Sequence, residues 1–69
     1  MKANDLIRRL SRLATRRGWE IKVTEGGSHT KVVLERHRTV IPRHARDLKT
    51  GTLRAILRQL ELTVTDLED

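Results

Sequence analysis

The chain has 69 residues, a formal net charge of +6 and no cysteine, so it is short enough to be one small domain and cannot form disulfides or thiolate zinc sites. No apolar run approaches the roughly 20 residues that cross a bilayer, and the N-terminus lacks the apolar segment of a signal peptide. We therefore expect one cytoplasmic domain over residues 1–69 that does not associate with membranes. Because its three histidines are dispersed, we expect no metal or other cofactor.

The first predicted element is an amphipathic helix over about residues 4–17. Arginines, including Arg12 and Arg16, lie on its polar side. Asn4-Asp5 can cap its N-terminus, and Gly18 can end it in a left-handed conformation. The apolar residues recur at the three- and four-residue spacing of one helix face, and they are Leu6, Ile7, Leu10, Leu13 and Ala14.

A strictly alternating pattern over residues 19–25 predicts a half-buried strand. Lys22 falls on its outward side. A Gly-Gly pair at residues 26–27 marks a turn after the strand. The side chains expected to point inward are Trp19, Ile21 and Val23.

A second strand is predicted at about residues 29–36. Side chains two apart on a strand point to the same face of the sheet. If Val32 and Leu34 lie in the core, then His29 and Lys31 lie together on the opposite face, next to the glycine turn.

The pattern next predicts a tight turn at residues 37–38 and a short third strand over 39–41, which Pro42 stops because it cannot donate to a ladder. A polar loop then leads to a second helix, which Thr50 or Thr52 can cap. The apolar face of this helix is expected to consist of Leu53, Ile56, Leu57 and Leu60.

Residues 62–67 are expected to add one further turn, and the acidic tail at about 63–69 is expected to fray. The predicted fold is therefore α+β, in the order α-β-β-β-α. Short turns imply a three-stranded antiparallel sheet, which the two amphipathic helices cover on one face. The open face of this sheet is expected to carry Lys22, His29, Lys31 and Glu35.

The charge of the chain is unevenly distributed along its length. All 15 lysines and arginines precede residue 61, whereas Glu61, Asp66, Glu68 and Asp69 lie in the last nine residues. A body this basic attracts polyanions, and nucleic acid is the leading candidate. A solvated surface that keeps the protein soluble and an acidic protein partner are the alternatives.

A titratable group beside a fixed positive charge, on a small basic protein, is suited to work on a phosphodiester. Histidine ordinarily titrates near neutral pH and acts as a general acid or base. RNA carries its own nucleophile, the 2′-OH, and needs a base to remove its proton. His29 is the candidate for this catalytic role. The sequence offers no convincing second acid–base group near it. The candidate phosphate-binding residues are Gly27, Ser28, Lys31, Lys22, Arg12 and Arg16.

Three stretches resemble the HicA family of type II toxins, and the α-β-β-β-α order is similar to the double-stranded RNA-binding domain. The stretches are Gly-Ser-His-Thr-Lys at 27–31, Ile-Pro-Arg-His at 41–44, and the Gly-Thr-Leu-Arg-containing block at 48–59. This resemblance implies a toxin that cleaves mRNA and is inhibited by a HicB antitoxin. It also implies that the histidine of Gly-Ser-His, His29, is catalytic.

Two other functions remain open at this point. The first is a non-catalytic RNA-binding module of the double-stranded RNA-binding type, which shares the element order and the charge. The second is a protein-interaction module whose basic surface binds an acidic partner. Structural hydrogen bonding is the favoured role for His44, a surface turn position for His37, and core packing for Trp19, the one aromatic residue.

Overall fold

The computed structural model describes residues 1–43 and 47–68 of the chain. Its elements follow the predicted order of one helix, three strands and one helix, which confirms the α+β fold. A short 3₁₀ helix comes last. The prediction for His44 lies outside the described residues. The elements are α1 (Ala3–Arg17), β1 (Ile21–Gly26), β2 (His29–Leu34), β3 (His37–Pro42), α2 (Thr50–Gln59) and the 3₁₀ helix (Val64–Leu67).

The three strands form an antiparallel meander in the order β1-β2-β3. Residues paired across neighbouring strands share a face of the sheet. The rows Ile21–Leu34 and Thr30–Ile41 lie on the covered face, where Leu34, Thr30 and Ile41 are buried. The predicted assignment of alternate β2 side chains to the covered face and the open face is therefore confirmed.

The hydrophobic core lies between the covered face of the sheet and the two helices. The apolar stripes of both helices contribute to it as predicted, with Ile7 and Leu53 only partly buried. Trp19 and Ile21 also pack against it in part. Hydrophobic burial of this kind is the main source of stability for so small a domain. The core residues of the sheet and helices include Val32, Leu34, Ile41, Leu6, Leu10, Leu13, Ile56, Leu57 and Leu60.

One side chain predicted to point into the core is largely in solvent. Val23 pairs with Val32 on the covered face, yet it remains 37% exposed. The buried side chains of the sheet belong to β2 and β3. Both β1 and β3 are edge strands, but α2 packs against β3. The alternating pattern therefore gives the correct face for Val23, but the expectation that its side chain is buried is wrong.

The turn between β2 and β3 lies two residues earlier than predicted. It is formed by Glu35 and Arg36, with Glu35 at a φ of 55°, and β3 already begins at His37. His37 pairs with Leu34 on the covered face, and its Nδ1 lies 3.5 Å from a carboxylate oxygen of Glu61. The prediction of a turn at 37–38, with His37 in it, is therefore wrong.

Glu35 does not belong to the open face, where it was expected. Its carboxylate accepts a hydrogen bond from the backbone N–H of Glu20 at 2.6 Å, and its own N–H donates to the Glu20 carbonyl at 2.9 Å. Glu35 therefore fastens the turn to the residue just before β1. The carboxylate is engaged by a backbone N–H at the end of the sheet.

The helix ends agree only partly with the sequence signals. Gly18 adopts a φ of 67° after α1, as predicted for a C-terminal glycine. The N-cap positions are instead Lys2 for α1 and Lys49 for α2, neither with a side-chain cap. The predicted side-chain caps are therefore wrong, and the Asn4 amide oxygen accepts from Arg43 instead.

The acidic tail packs against α1 instead of fraying. The Thr63 side chain accepts from the Asp66 N–H and the Asp66 carboxylate accepts from the Thr63 N–H, which closes a capping box around the 3₁₀ helix. Leu67 is only 2% exposed and joins the core. Arg17 donates to the Asp66 carboxylate at 2.9 Å. The tail is thus held by the buried Leu67, by the ion pair with Arg17 and by a hydrogen bond from Arg16 to the Asp66 carbonyl.

Candidate active site on the open sheet face

His29 is the first residue of β2 and lies on the open face of the sheet. The preceding turn depends on Gly27, whose φ of 61° is a conformation that residues with a Cβ rarely adopt. Across the sheet, His29 pairs with Gly26 on one side and Pro42 on the other. Both neighbours are small or compact, so the imidazole is exposed, as the sequence predicts.

The hydroxyl of Ser28 contacts the imidazole of His29. Its Oγ lies 3.2 Å from Nδ1 of His29, a hydrogen bond whose direction depends on the tautomer of the ring. This contact engages Nδ1 and favours one orientation of the ring. Ser28 therefore has a second use besides the predicted phosphate contact.

Arg43 supports the turn that carries His29, although sequence reasoning did not select it. Its backbone N–H donates to the Ser28 carbonyl at 2.7 Å. Its guanidinium forms an ion pair with Glu25 and donates to the Asn4 amide oxygen at 2.9 Å. Arg43 therefore connects the start of α1, the end of β1 and the start of β2. These contacts join distant parts of the chain, so no local pattern marks them.

Two further rows of residues extend along the open face from His29. Lys31 lies in the second row, between Thr24 and Val40, and is exposed. Lys22 and Arg38 flank the third row on either side of Val33. The structure thus places Lys22 and Lys31 on the face of His29, as predicted, and adds Arg38, which the sequence analysis assigned to a turn.

The open face of the three strands carries no carboxylate. By the pairing register it has nine positions, of which three are lysine or arginine and one is histidine. A surface of this composition attracts an anionic chain without repelling it locally. The nine positions are Lys22, Thr24, Gly26, His29, Lys31, Val33, Arg38, Val40 and Pro42.

Arg12 and Arg16 are not brought together with His29. They belong to α1, which packs on the covered face of the sheet, and they line a shallow groove on that helix with Arg8, Ser11 and Thr15. Arg16 donates to the Asp66 carbonyl at 3.1 Å. The two arginines thus form a separate basic surface in the helical layer.

The tail changes the electrostatics at the C-terminal end of this helix. The Thr63 backbone N–H, followed by the Arg17 guanidinium, holds the pKa of Asp66 below its ordinary value of 3.8. The carboxylate is therefore charged at neutral pH and lies 2.9 Å from Arg17. Part of the positive charge of α1 is offset within the molecule.

The described residues include no group of three or more histidine, cysteine or acidic side chains that could hold a metal ion. Within the same part of the chain, no helix is long and apolar enough to cross a membrane. His37 could not act with His29, since it lies on the covered face beside Glu61. Within residues 1–43 and 47–68, the candidate site thus includes one imidazole, a neighbouring ammonium group and the turn that carries them.

Comparison with known protein families assigns most of the chain. A family model described as the HicA toxin of bacterial toxin–antitoxin systems matches residues 7–62. The match includes both helices except the first residues of α1, and it includes the whole sheet. The 3₁₀ helix of the tail lies beyond it. No curated protein and no solved structure matches the chain.

Proposed function

Because the chain belongs to the HicA family of toxins from bacterial toxin–antitoxin systems, we propose that this toxin is an endoribonuclease that cleaves RNA with His29 as general acid or base. The observation that carries the proposal is the position of His29. It is exposed beside a glycine turn, on a face that has Lys31 two residues away and no carboxylate.

The proposed reaction uses the nucleophile that RNA contains. A base removes the proton of the 2′-OH, the 2′ oxygen attacks the adjacent phosphorus, and the bond to the 5′ oxygen breaks as that oxygen takes up a proton. The products are a 2′,3′-cyclic phosphate and a 5′-OH. His29 serves one of the two proton transfers, and water serves the other.

Positive charge near the scissile phosphate stabilises the extra negative charge of the transition state. Lys31 is the proposed source, and the Ser28 hydroxyl and Gly27 amide are proposed donors to a phosphate oxygen. Lys22 binds the substrate further along the sheet. Arg12 and Arg16 are proposed to contact RNA separately, from the helical layer.

The family implies an antitoxin partner, and we propose that this partner is a HicB-like protein. An antitoxin that blocks cleavage must prevent RNA from reaching His29, and the exposed, carboxylate-free sheet face is suited to an acidic surface. The toxin is proposed to act on mRNA in the cytoplasm.

The test is a cleavage assay on labelled single-stranded RNA in the presence of EDTA. Wild-type protein is expected to produce fragments, and His29→Ala to lose about 10²- to 10⁴-fold in rate, the usual value of acid–base catalysis. His37→Ala is the matched control, because it removes a histidine from the covered face of the same sheet.

Two results would count against the proposal. Unchanged cleavage by His29→Ala would exclude His29 as the acid or base. RNA retained on the wild-type protein without any fragments would favour the non-catalytic RNA-binding module, and no RNA binding at all would favour a protein-interaction module.

A further inference from the structure

We propose that the RNA lies as a single strand along the open face of the sheet, running from His29 towards the β2–β3 end, and that Arg38 is one of its contacts. This inference rests on the proposed ribonuclease function, because His29 marks one end of the path. It assigns a binding role to a residue that the sequence places in a turn.

The spacing of the cations supports a linear path. Residues two apart on a strand are roughly 6.8 Å apart along it. The row of Lys31 therefore lies about 7 Å from His29, and the row of Lys22 and Arg38 about 14 Å from it. A strand with its scissile phosphate at His29 thus meets positive charge at each successive row.

The side chains in this path are available to a ligand. Lys22, Lys31 and Arg38 are exposed, and no ion pair joins any of them to a carboxylate within residues 1–43 and 47–68. Arg17 of α1, by contrast, is already bound to Asp66. Phosphates that bind these three side chains therefore displace no acid of the described residues.

The shape of the surface favours one strand of RNA over a duplex. The sheet is three strands wide, which is roughly 10 Å from β1 to β3. The cations lie on all three strands, with Lys31 at the centre of its row and Lys22 and Arg38 at the two sides of the next. Proteins that read duplex RNA instead contact two successive minor grooves, across about 16 base pairs. A cationic patch three strands wide and three rows long is too small to span two successive minor grooves, so a single phosphate backbone is the better match.

The apolar residues of the path indicate weak sequence preference. Val33 lies between the cations of the third row and Val40, 48% exposed, lies beside Lys31. Trp19, the chain's only aromatic residue, packs against the core with Arg17 over its ring at 5.1 Å. The face therefore lacks aromatic stacking platforms, so phosphate contacts dominate affinity.

The experiment measures RNA affinity separately from cleavage. In the His29→Ala background, fluorescence anisotropy with a labelled single-stranded oligonucleotide gives Kd over a series of salt concentrations. Arg38→Ala is expected to weaken binding roughly tenfold at low salt, and to reduce the slope of log K against log salt by about 0.7, the value for one phosphate contact.

The matched control is Arg54→Ala, which removes the same charge from an exposed position on α2. It is expected to change Kd by less than about twofold, because long-range effects on the surface are screened by salt. In protein that retains His29, Arg38→Ala is expected to raise KM and leave kcat unchanged. This is the result for a contact that binds the substrate and the transition state equally.

The outcomes separate this inference from the proposed function. Equal losses in Arg38→Ala and Arg54→Ala, or tighter binding of duplex than of single-stranded RNA, would overturn the inference even if the protein cleaves RNA. Wild-type protein that binds but does not cleave would overturn the ribonuclease, while a selective Arg38 effect would still support the binding path.

Discussion

The molecule has two cationic surfaces, and they differ in what the fold places beside them. On the open face of the sheet, three lysines and arginines accompany His29 without a carboxylate at any strand position. On α1, the arginines at the C-terminal end are held by the tail, since Arg17 binds the Asp66 carboxylate and Arg16 the Asp66 carbonyl.

This difference shows that the number of basic residues is a poor guide to where a polyanion binds. The arginines of α1 outnumber the cations of the sheet, yet Asp66 already lies beside the end of that helix. The tail that provides Asp66 lies beyond the residues matched by the toxin family. The positive charge of α1 is therefore partly offset by a segment outside the residues that the family model matches, whereas the whole sheet face lies within those residues.

The largest expected effect comes from releasing the tail. Leu67→Ala removes a side chain that is 2% exposed, and we expect a loss of about 2–4 kcal/mol in the free energy of unfolding. Denaturant titration followed by circular dichroism measures it. Val64→Ala, in the same 3₁₀ helix but 53% exposed, is expected to cost less than about 0.5 kcal/mol. Equal losses would mean that the tail is not anchored through Leu67.

The second effect separates the two surfaces by catalysis. Lys31→Met removes a charge two residues from His29, and we expect kcat/KM to fall by about 10- to 100-fold, the value of a hydrogen bond to a charged group. Arg17→Met removes a charge that is already paired with Asp66 and is expected to change kcat/KM by less than about threefold. A larger loss from Arg17→Met would reverse the comparison and place the substrate on α1.

The parts of the fold that follow from local periodicity could be predicted from the sequence. The apolar stripes place both helices, and the alternation in β2 places His29 and Lys31 on one face because the opposite face must be buried. Gly27 and Gly18 mark conformations with positive φ, and both are found in those conformations. The element order and the exposed position of His29 depend on these signals alone.

The position of the β2–β3 turn could not be predicted from local periodicity or from glycines. Neither Glu35 nor its neighbours belong to the residues that favour turns, and Glu35 adopts a φ of 55° that non-glycine residues rarely occupy. Placing the turn two residues late removed Arg38 from the sheet. It also put His37 in a turn instead of on the covered face of the sheet. A two-residue error in a turn therefore hid one of the cations of the open face.

Long-range contacts explain the other differences. The Asn4 side chain has the chemistry of a cap, but it accepts a hydrogen bond from Arg43. The acidic tail has the composition of a frayed end, but Thr63, Asp66 and Leu67 together hold it on α1. Neither partner could be identified by sequence spacing, because Arg43 and Arg17 lie 39 and 49 residues from the groups they bind.

The smallest expected effect is a pH dependence of stability from Asp66. Hydrogen bonds from the Thr63 N–H and the Arg17 guanidinium lower the pKa of this carboxyl in the folded protein. A lowered pKa favours the folded state at a pH above the ordinary value of 3.8. This contribution is lost as the pH falls through the folded-state pKa, because the carboxyl is then protonated in both states. The difference in unfolding free energy between wild type and Asp66→Asn should therefore shrink between pH 6 and pH 2.

Urea titrations across that range measure this difference, with Glu68→Gln as a charge-matched control two residues away in the same tail. The Asp66→Asn side chain can still accept a hydrogen bond from Thr63, so the remaining change reports the carboxylate charge, which the Thr63 N–H and Arg17 both stabilise. A difference that stayed constant down to pH 2 would mean that this charge contributes nothing to holding the tail. The burial of Leu67 and the hydrogen bond from Arg16 to the Asp66 carbonyl would then account for the attachment, and the charge of Asp66 would not distinguish Arg17 from the cations of the sheet.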